Sequence, residues 1–177
     1  MRQRFRFLHM IIWALCRRHD LNIEDESILR FIVMPWDCVV KLAGNDRYHS
    51  FMDVGRIDLV LRMGWGRGIV KYKWNPFVLT AHIRYRYPLK VFQKFKLRTK
   101  LIYWDKQYFW MEHIFECKGR ILATAISKNG ATNKNGIVST ESVFQSLDQN
   151  MTCPPCPDRI ILLREAENIL KAVKIAR

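Results

Sequence analysis

Residues 34–64 read "MPWDCVVKLAGNDRYHSFMDVGRIDLVLRMG", and two kinds of structure meet in them. The preceding apolar run, residues 28–34 ("ILRFIVM"), has the length and composition of a strand and stops at Pro35. From Asp46 to Met63 the pattern is helical: Tyr48, Phe51, Met52, Gly55, Leu59 and Met63 fall on one face at offsets of three, four and seven. Asn45, after Gly44, is placed to cap this helix, and Gly64 is placed to stop it. Gly55 on the apolar face leaves room for a sheet to approach closely. Asp37 sits between strand and helix, so the segment holds a carboxylate near a helix N-terminus, a place suited to acyl chemistry.

Downstream the period changes from helical to two. "TAHIRYRYPLK", "FQKFKLRTKLIYWD", "QYFWMEHIFECKG" and "RILATAISKNG" are expected as successive strands, with tight turns at Asp105-Lys106 and Lys118-Gly119. A last helix is expected over 158–175, capped by Asp158, with Ile161, Leu162, Ala166, Ile169 and Leu170 as its apolar stripe. Strand, long helix and antiparallel meander give an α+β domain whose sheet wraps one central helix. No internal repeat is visible. The expected organisation is an N-terminal amphipathic helix over 1–20, a main domain over 28–147, and the C-terminal helix.

The 177 residues suffice for one domain with a substantial core, and 49% hydrophobic with 26% charged is a globular composition. A net charge of +14 favours acidic partners: phosphorylated cofactors, acidic carrier proteins, anionic lipid or nucleic acid. Five scattered cysteines argue against a disulfide framework and for a reducing, cytoplasmic compartment. Cys153-Pro-Pro-Cys156 has no second ligand pair for zinc and is expected to be two reduced thiols in a Pro-rich linker. The apolar stretch Phe7 to Cys16 is about half a membrane span, so the first helix is expected to pack on the domain or lie on a membrane surface.

"PWDC", "GNDRY" and "FMDVGRIDLVLRMG", with "YWDKQYFWMEHIFECKGRILATAISK" further on, resemble the hotdog-fold acyl-CoA thioesterases, in particular the branch containing 4-hydroxybenzoyl-CoA thioesterase. The likeness runs from about Leu29 to Leu147. It implies a hotdog fold, hydrolysis of acyl-CoA or acyl-carrier-protein thioesters, a homodimer or higher homo-oligomer, and no cofactor apart from the coenzyme A carried by the substrate. It assigns Asp37 to the catalytic carboxylate region, as nucleophile or general base, and the backbone amides of Asn45, Asp46 and Arg47 to the oxyanion. Tyr48 opens the central helix, either to orient an acyl group or as core. Another branch of the family carries its carboxylate on the central helix itself, where Asp53 and Asp58 are the candidates and Asp53, next to Met52, is the one placed near the buried face. The sequence departs from the pattern at Val39, which stands for a second aspartate, and at Leu42, near where many relatives have histidine. Those two residues suit a rival reading, a binding module that kept the fold and lost the base.

Lys94, Lys96, Arg98 and Lys100 alternate with Phe95, Leu97 and Leu101, which puts four cations on one strand face. The acceptors considered are coenzyme A phosphates, an acidic carrier protein and, with the first helix, an anionic membrane. Nucleic acid is not expected, because Phe95 alternates away from the lysines and suits a core better than a stacking surface.

Overall fold

The computed structural model describes residues 21–146 and 151–172; the helix expected over 1–20 lies outside them. The chain order is β1 (Glu26–Ile32), a 3-10 turn (Pro35–Asp37), a small hairpin of β2 (Cys38–Val39) and β3 (Leu42–Ala43), α1 (Asn45–Arg62), α2 (Trp65–Tyr72), β4 (Asn75–Tyr85), β5 (Lys94–Trp104), β6 (Phe109–Cys117), β7 (Arg120–Asn133), β8 (Gly136–Ile137), α3 (Thr140–Gln145) and α4 (Asp158–Ala172).

The long central helix is there, and its buried side is the one its periodicity marks: Tyr48, Phe51, Met52, Gly55, Leu59 and Met63 are all buried. The N-cap is Gly44, not Asn45. Its carbonyl takes the Arg47 amide at 2.9 Å, while Asn45 becomes the first helical residue. Gly64 ends the helix at φ 87°, a left-handed turn that favours glycine.

Five antiparallel strands lie in the order β1-β5-β6-β7-β4, with β8 added to β7. The expected meander is therefore only partly right. β5, β6 and β7 follow one another, but β4 pairs with β7 at one edge, and β1 fills the place beside β5. Asp105 makes the first turn by accepting the Gln107 and Tyr108 amides on Oδ1, at 2.9 and 2.8 Å. Lys118 and Gly119 make the second, both at positive φ (49° and 78°), as a tight hairpin turn requires.

Alternation along β5 sends Phe95, Leu97, Thr99 and Leu101 towards α1 and leaves Lys94, Lys96 and Lys100 exposed on the outer face. Two apolar clusters follow. Phe31, Phe51, Phe95, Phe115 and Tyr48 interlock near the start of α1, with neighbouring ring centroids 5.1–5.8 Å apart. Trp65, Phe109, Phe144 and Trp104 form the second, near its end.

The C-terminal helix corrects two expectations. It begins at Asp158, so Asp158 lies in the first turn rather than capping it. Its chosen stripe is also the wrong face: Ile161, Leu162, Ile169 and Leu170 are exposed, and Ile160 and Glu167 are buried instead. The reason is an ion pair. Lys128 on β7 meets Glu167 at 2.7 Å, and Thr80 on β4 donates to the same carboxylate at 2.7 Å. These contacts, with Ile160 packed against Tyr103 and Trp110, lay α4 across the outer side of the sheet.

Candidate active site

Asp37 ends the short turn that Pro35 begins, and it is 4% exposed. Its carboxylate folds back to take the Met34 amide on Oδ2 at 2.9 Å, and its carbonyl takes the Gly44 amide at 3.0 Å. The second of these bonds joins Asp37 directly to the residue that caps α1, at the positive end of the helix dipole. The neighbouring Cys38 thiol is pushed up by burial and then by the Asp37 charge, which makes it a poor nucleophile.

The first amides of a helix have no acceptor within it. Of the three considered for an oxyanion, Arg47 is excluded because its N–H is spent on the Gly44 carbonyl. Asn45 and Asp46 keep theirs among the described residues, and Asn45 is exposed at the site's edge. The Asp46 carboxylate folds back over Gly44 and pairs with the Arg47 guanidinium, with Nε–Oδ2 at 3.0 Å, so the charge that would repel an oxyanion there is compensated by a cation.

Tyr48 is core. It is 2% exposed, its ring stands edge-on to Tyr85 at 4.9 Å, and its hydroxyl accepts the Leu89 amide at 3.0 Å. Burial pushes its phenol up, partly offset by that bond. It serves the site by holding the 89–93 loop against the β2–β3 hairpin, where Ala43 donates to Leu89 and Val91 to Lys41. Val39 and Leu42, at family polar positions, are 72% and 43% exposed on that hairpin.

Asp53 does not join Asp37. It lies eight residues into α1 from Asn45, about 12 Å along the axis, and pairs with Arg56. Both line an apolar cavity of about 280 Å³ between α1, α2 and the β4–β7–β6 end of the sheet, walled by Ile57, Val60, Trp65, Phe77 and Met111. That is roughly twice the volume of an apolar cavity that takes up benzene.

Lys94, Lys96, Arg98 and Lys100 point away from α1 and do not converge with Asp37. Their face is also less one-signed than the strand alone suggests. Arg98 is held between Glu26 and Glu116, and Lys96 and Lys100 stand opposite Glu116 and Glu112.

Beneath Gly55 runs a buried polar chain invisible in the sequence. Thr99 Oγ1 meets His113 Nδ1 at 3.2 Å, His113 Nε2 meets Ser127 Oγ at 3.0 Å, and Asn129 Nδ2 donates to Ser127 Oγ at 3.0 Å. Burial, with the nearby Arg56 charge adding to it, pushes His113 down from 6.5 to about 3, so it is neutral. Its period-two position in β6 marked it only as a strand residue. Arg56 and Asn129 were missed too; a helix arginine and a strand asparagine carry no local signal of burial.

Solved structures of known proteins share the architecture. A gentisyl-coenzyme A thioesterase superimposes with a TM-score of 0.61 at 19% identity, over 67% of this chain and 99% of that one. YbaW, a probable thioesterase from Escherichia coli, does so at 0.62 and 17% identity, over 69% and 96%. Protein THEM6 of Drosophila melanogaster is 26% identical over 157 residues, 88% of this chain and 72% of that protein. The fold these structures share is the hotdog fold, as the sequence resemblance implies. Residues 30–149, well over half of the chain, match the family model described as thioesterase-like superfamily, and the chain belongs to that superfamily.

Proposed function

We propose that this protein hydrolyses acyl-coenzyme A or acyl-carrier-protein thioesters, with Asp37 as general base or nucleophile. The observation that carries this reading is the hydrogen bond from Gly44 to the Asp37 carbonyl, which joins a buried carboxylate to the start of a helix. A thioester carbonyl directed at the Asn45 and Asp46 amides would have its developing negative charge met there. The acyl group would run along α1 towards the cavity, which lies about 12 Å further on. Asp37 would attack the carbonyl carbon or take a proton from the attacking water, and the thiolate would leave with the coenzyme.

The active unit is proposed to be a homodimer. In support, β4 pairs on one side only among the described residues, and its edge carries the exposed Val78 and Leu79. A cytoplasmic setting agrees with the thiol count, and Lys94, Lys96, Arg98 and Lys100 are the proposed contacts for substrate phosphates or an acidic carrier. The apolar, exposed Val39 and Leu42 favour the second reading, an acyl-thioester binder without turnover.

Hydrolysis of an acyl-CoA panel by the purified chain decides between the two. Asp37→Asn is expected to lower kcat by about a hundredfold or more, with circular dichroism unchanged. Wild-type turnover in Asp37→Asn together with its loss in Asp53→Asn would move the chemistry to α1. A wild type that binds acyl-CoA without cleaving it would establish the binder.

A further inference from the structure

Two loops beside the candidate site hold apolar side chains out in water on a backbone that disfavours them. Val40, at the tip of the β2–β3 hairpin, has φ 65° and is 92% exposed. Phe92, in the loop between β4 and β5, has φ 61° and is 65% exposed. A positive φ is an outlier for a β-branched or bulky residue, and glycine or asparagine would hold it at less cost. Burial does not offset that cost, since both side chains stay mostly exposed. The two loops form one surface. The Val91 amide donates to the Lys41 carbonyl at 3.0 Å, Leu42 bridges to Lys90, and the Phe92 amide donates to the Val33 carbonyl at 2.7 Å. The exposed Val39 and Leu42 extend the apolar area on the hairpin. Cations sit among these residues. Lys41 and Lys90 lie within the patch and Lys94 beside it, all exposed and, among the described residues, without an acidic partner. The two acids of the 33–48 segment are engaged elsewhere: Asp37 is buried on the Met34 amide, and Asp46 pairs with Arg47.

We propose that this end of the domain docks on an anionic lipid surface. Val40 and Phe92 enter the boundary between headgroups and acyl chains, and Lys41, Lys90 and Lys94 meet the lipid phosphates. A protein partner would need a concavity shaped to a free-standing valine, whereas a fluid interface accepts a protruding apolar group of any shape. The lysine stems share the apolar layer while their ammonium groups reach back to the headgroups, and each cation near an anionic leaflet adds to the attraction. The Gly44 amide, bonded to the Asp37 carbonyl, ties the base of the hairpin. Docking would therefore bring the candidate carboxylate and the start of α1 close to the lipid. This surface is separate from the outer face of β5, and its use requires no turnover.

The test is co-sedimentation of the full chain with phosphatidylcholine vesicles, with and without phosphatidylserine. The chain is expected to bind the anionic vesicles about tenfold tighter or more than the neutral ones, and less tightly in high salt. Val40→Asn/Phe92→Asn should weaken that binding by about tenfold or more, as two apolar groups are withdrawn. Its melting temperature should be unchanged or raised, because asparagine tolerates a positive φ, so the lost binding is not a lost fold. Lys41→Glu/Lys90→Glu should reduce the preference for anionic vesicles. Equal binding to both kinds of vesicle, no binding to either, or binding untouched by Val40→Asn/Phe92→Asn would overturn the inference. So would sedimentation velocity showing that the asparagine variant has lost self-association, since the patch would then be an interface between two copies. Hydrolysis of soluble acyl-CoA is measured without vesicles, so failure of the docking and failure of the hydrolytic reading are separate results.

Discussion

Gly55 marks a close approach between the central helix and the sheet. A Cβ added there would lie 2.4 Å from Thr99 Oγ1 and 3.0 Å from Leu97 Cδ2. Alanine would gain about 1 kcal/mol of helix propensity over glycine. Against this, overpacking costs about 1–3 kcal/mol. Turning the Thr99 hydroxyl aside breaks its 3.2 Å contact with His113 Nδ1, a buried atom whose unpaired state costs a further ~1–3 kcal/mol. Gly55→Ala should thus destabilise by about 1–5 kcal/mol, and Gly55→Leu by more. Urea unfolding followed by tryptophan fluorescence measures this, and Thr99→Ala completes a double-mutant cycle. In the Thr99→Ala background the alanine at 55 should cost less by about 1 kcal/mol or more, because the clashing oxygen is gone. A raised urea midpoint for Gly55→Ala, or costs that simply add, would refute the packing argument.

His113 gives a pH signature. The unfolded chain takes up a proton near pH 6.5 that the folded chain refuses until about 3. The unfolded state therefore binds more protons in that window, and stability falls with acidification by up to ~1.4 kcal/mol per pH unit. His113→Gln should flatten the dependence between pH 6.5 and 4; parallel curves for the two proteins would dismiss His113 as its source. Glu167→Ala strands the Lys128 ammonium in the sheet–α4 interface and is expected to cost about 3–5 kcal/mol, much of it recovered by adding Lys128→Met. A loss below about 1 kcal/mol would show the pair to be solvated. For the outer face of β5, Lys96→Glu/Lys100→Glu should raise KM for acyl-CoA with kcat nearly constant, and more so at low salt, if those lysines receive phosphates. No change in KM, with unchanged binding to anionic vesicles, would leave the face a solvated surface.

The parts legible in the sequence are those whose cause is local. Tyr48, Phe51, Met52 and Leu59 repeat at helical spacing because one side of α1 must be dry, and Phe95 and Leu97 alternate with lysines for the same reason on a strand. The place of Asp37 beside the start of α1 was legible because Pro35 and Gly44 bracket it. The second helix, Trp65–Tyr72, was not: Gly66 and Gly68 argue against a helix, and it is the packing of Trp65 and Ile69 around Trp74 that holds it. The crossing of β4 to β7 leaves no trace in either strand's alternation. On α4, counting apolar residues picked the exposed side, because the deciding contact is a glutamate's. The burial of Arg56 and Asn129 was hidden for a related reason: both look like ordinary surface residues until their neighbours are known.

The strand order also governs events while the chain is being made. β1 waits for β5, and β4 waits for β7, its partner in the sheet. As synthesis proceeds from the N-terminus, α1 and β4 are complete while most of the strands that bury them are still unmade. About fifty residues separate Tyr85 from Asn133, so at ~5–20 residues per second the wait for β7 lasts on the order of 2–10 s. Throughout it the apolar side of α1 and the edge of β4 that will pair with β7 lack their final cover within the chain. That interval, rather than any weakness of the finished domain, is where a nascent copy is most open to capture by a chaperone or to pairing with another nascent chain.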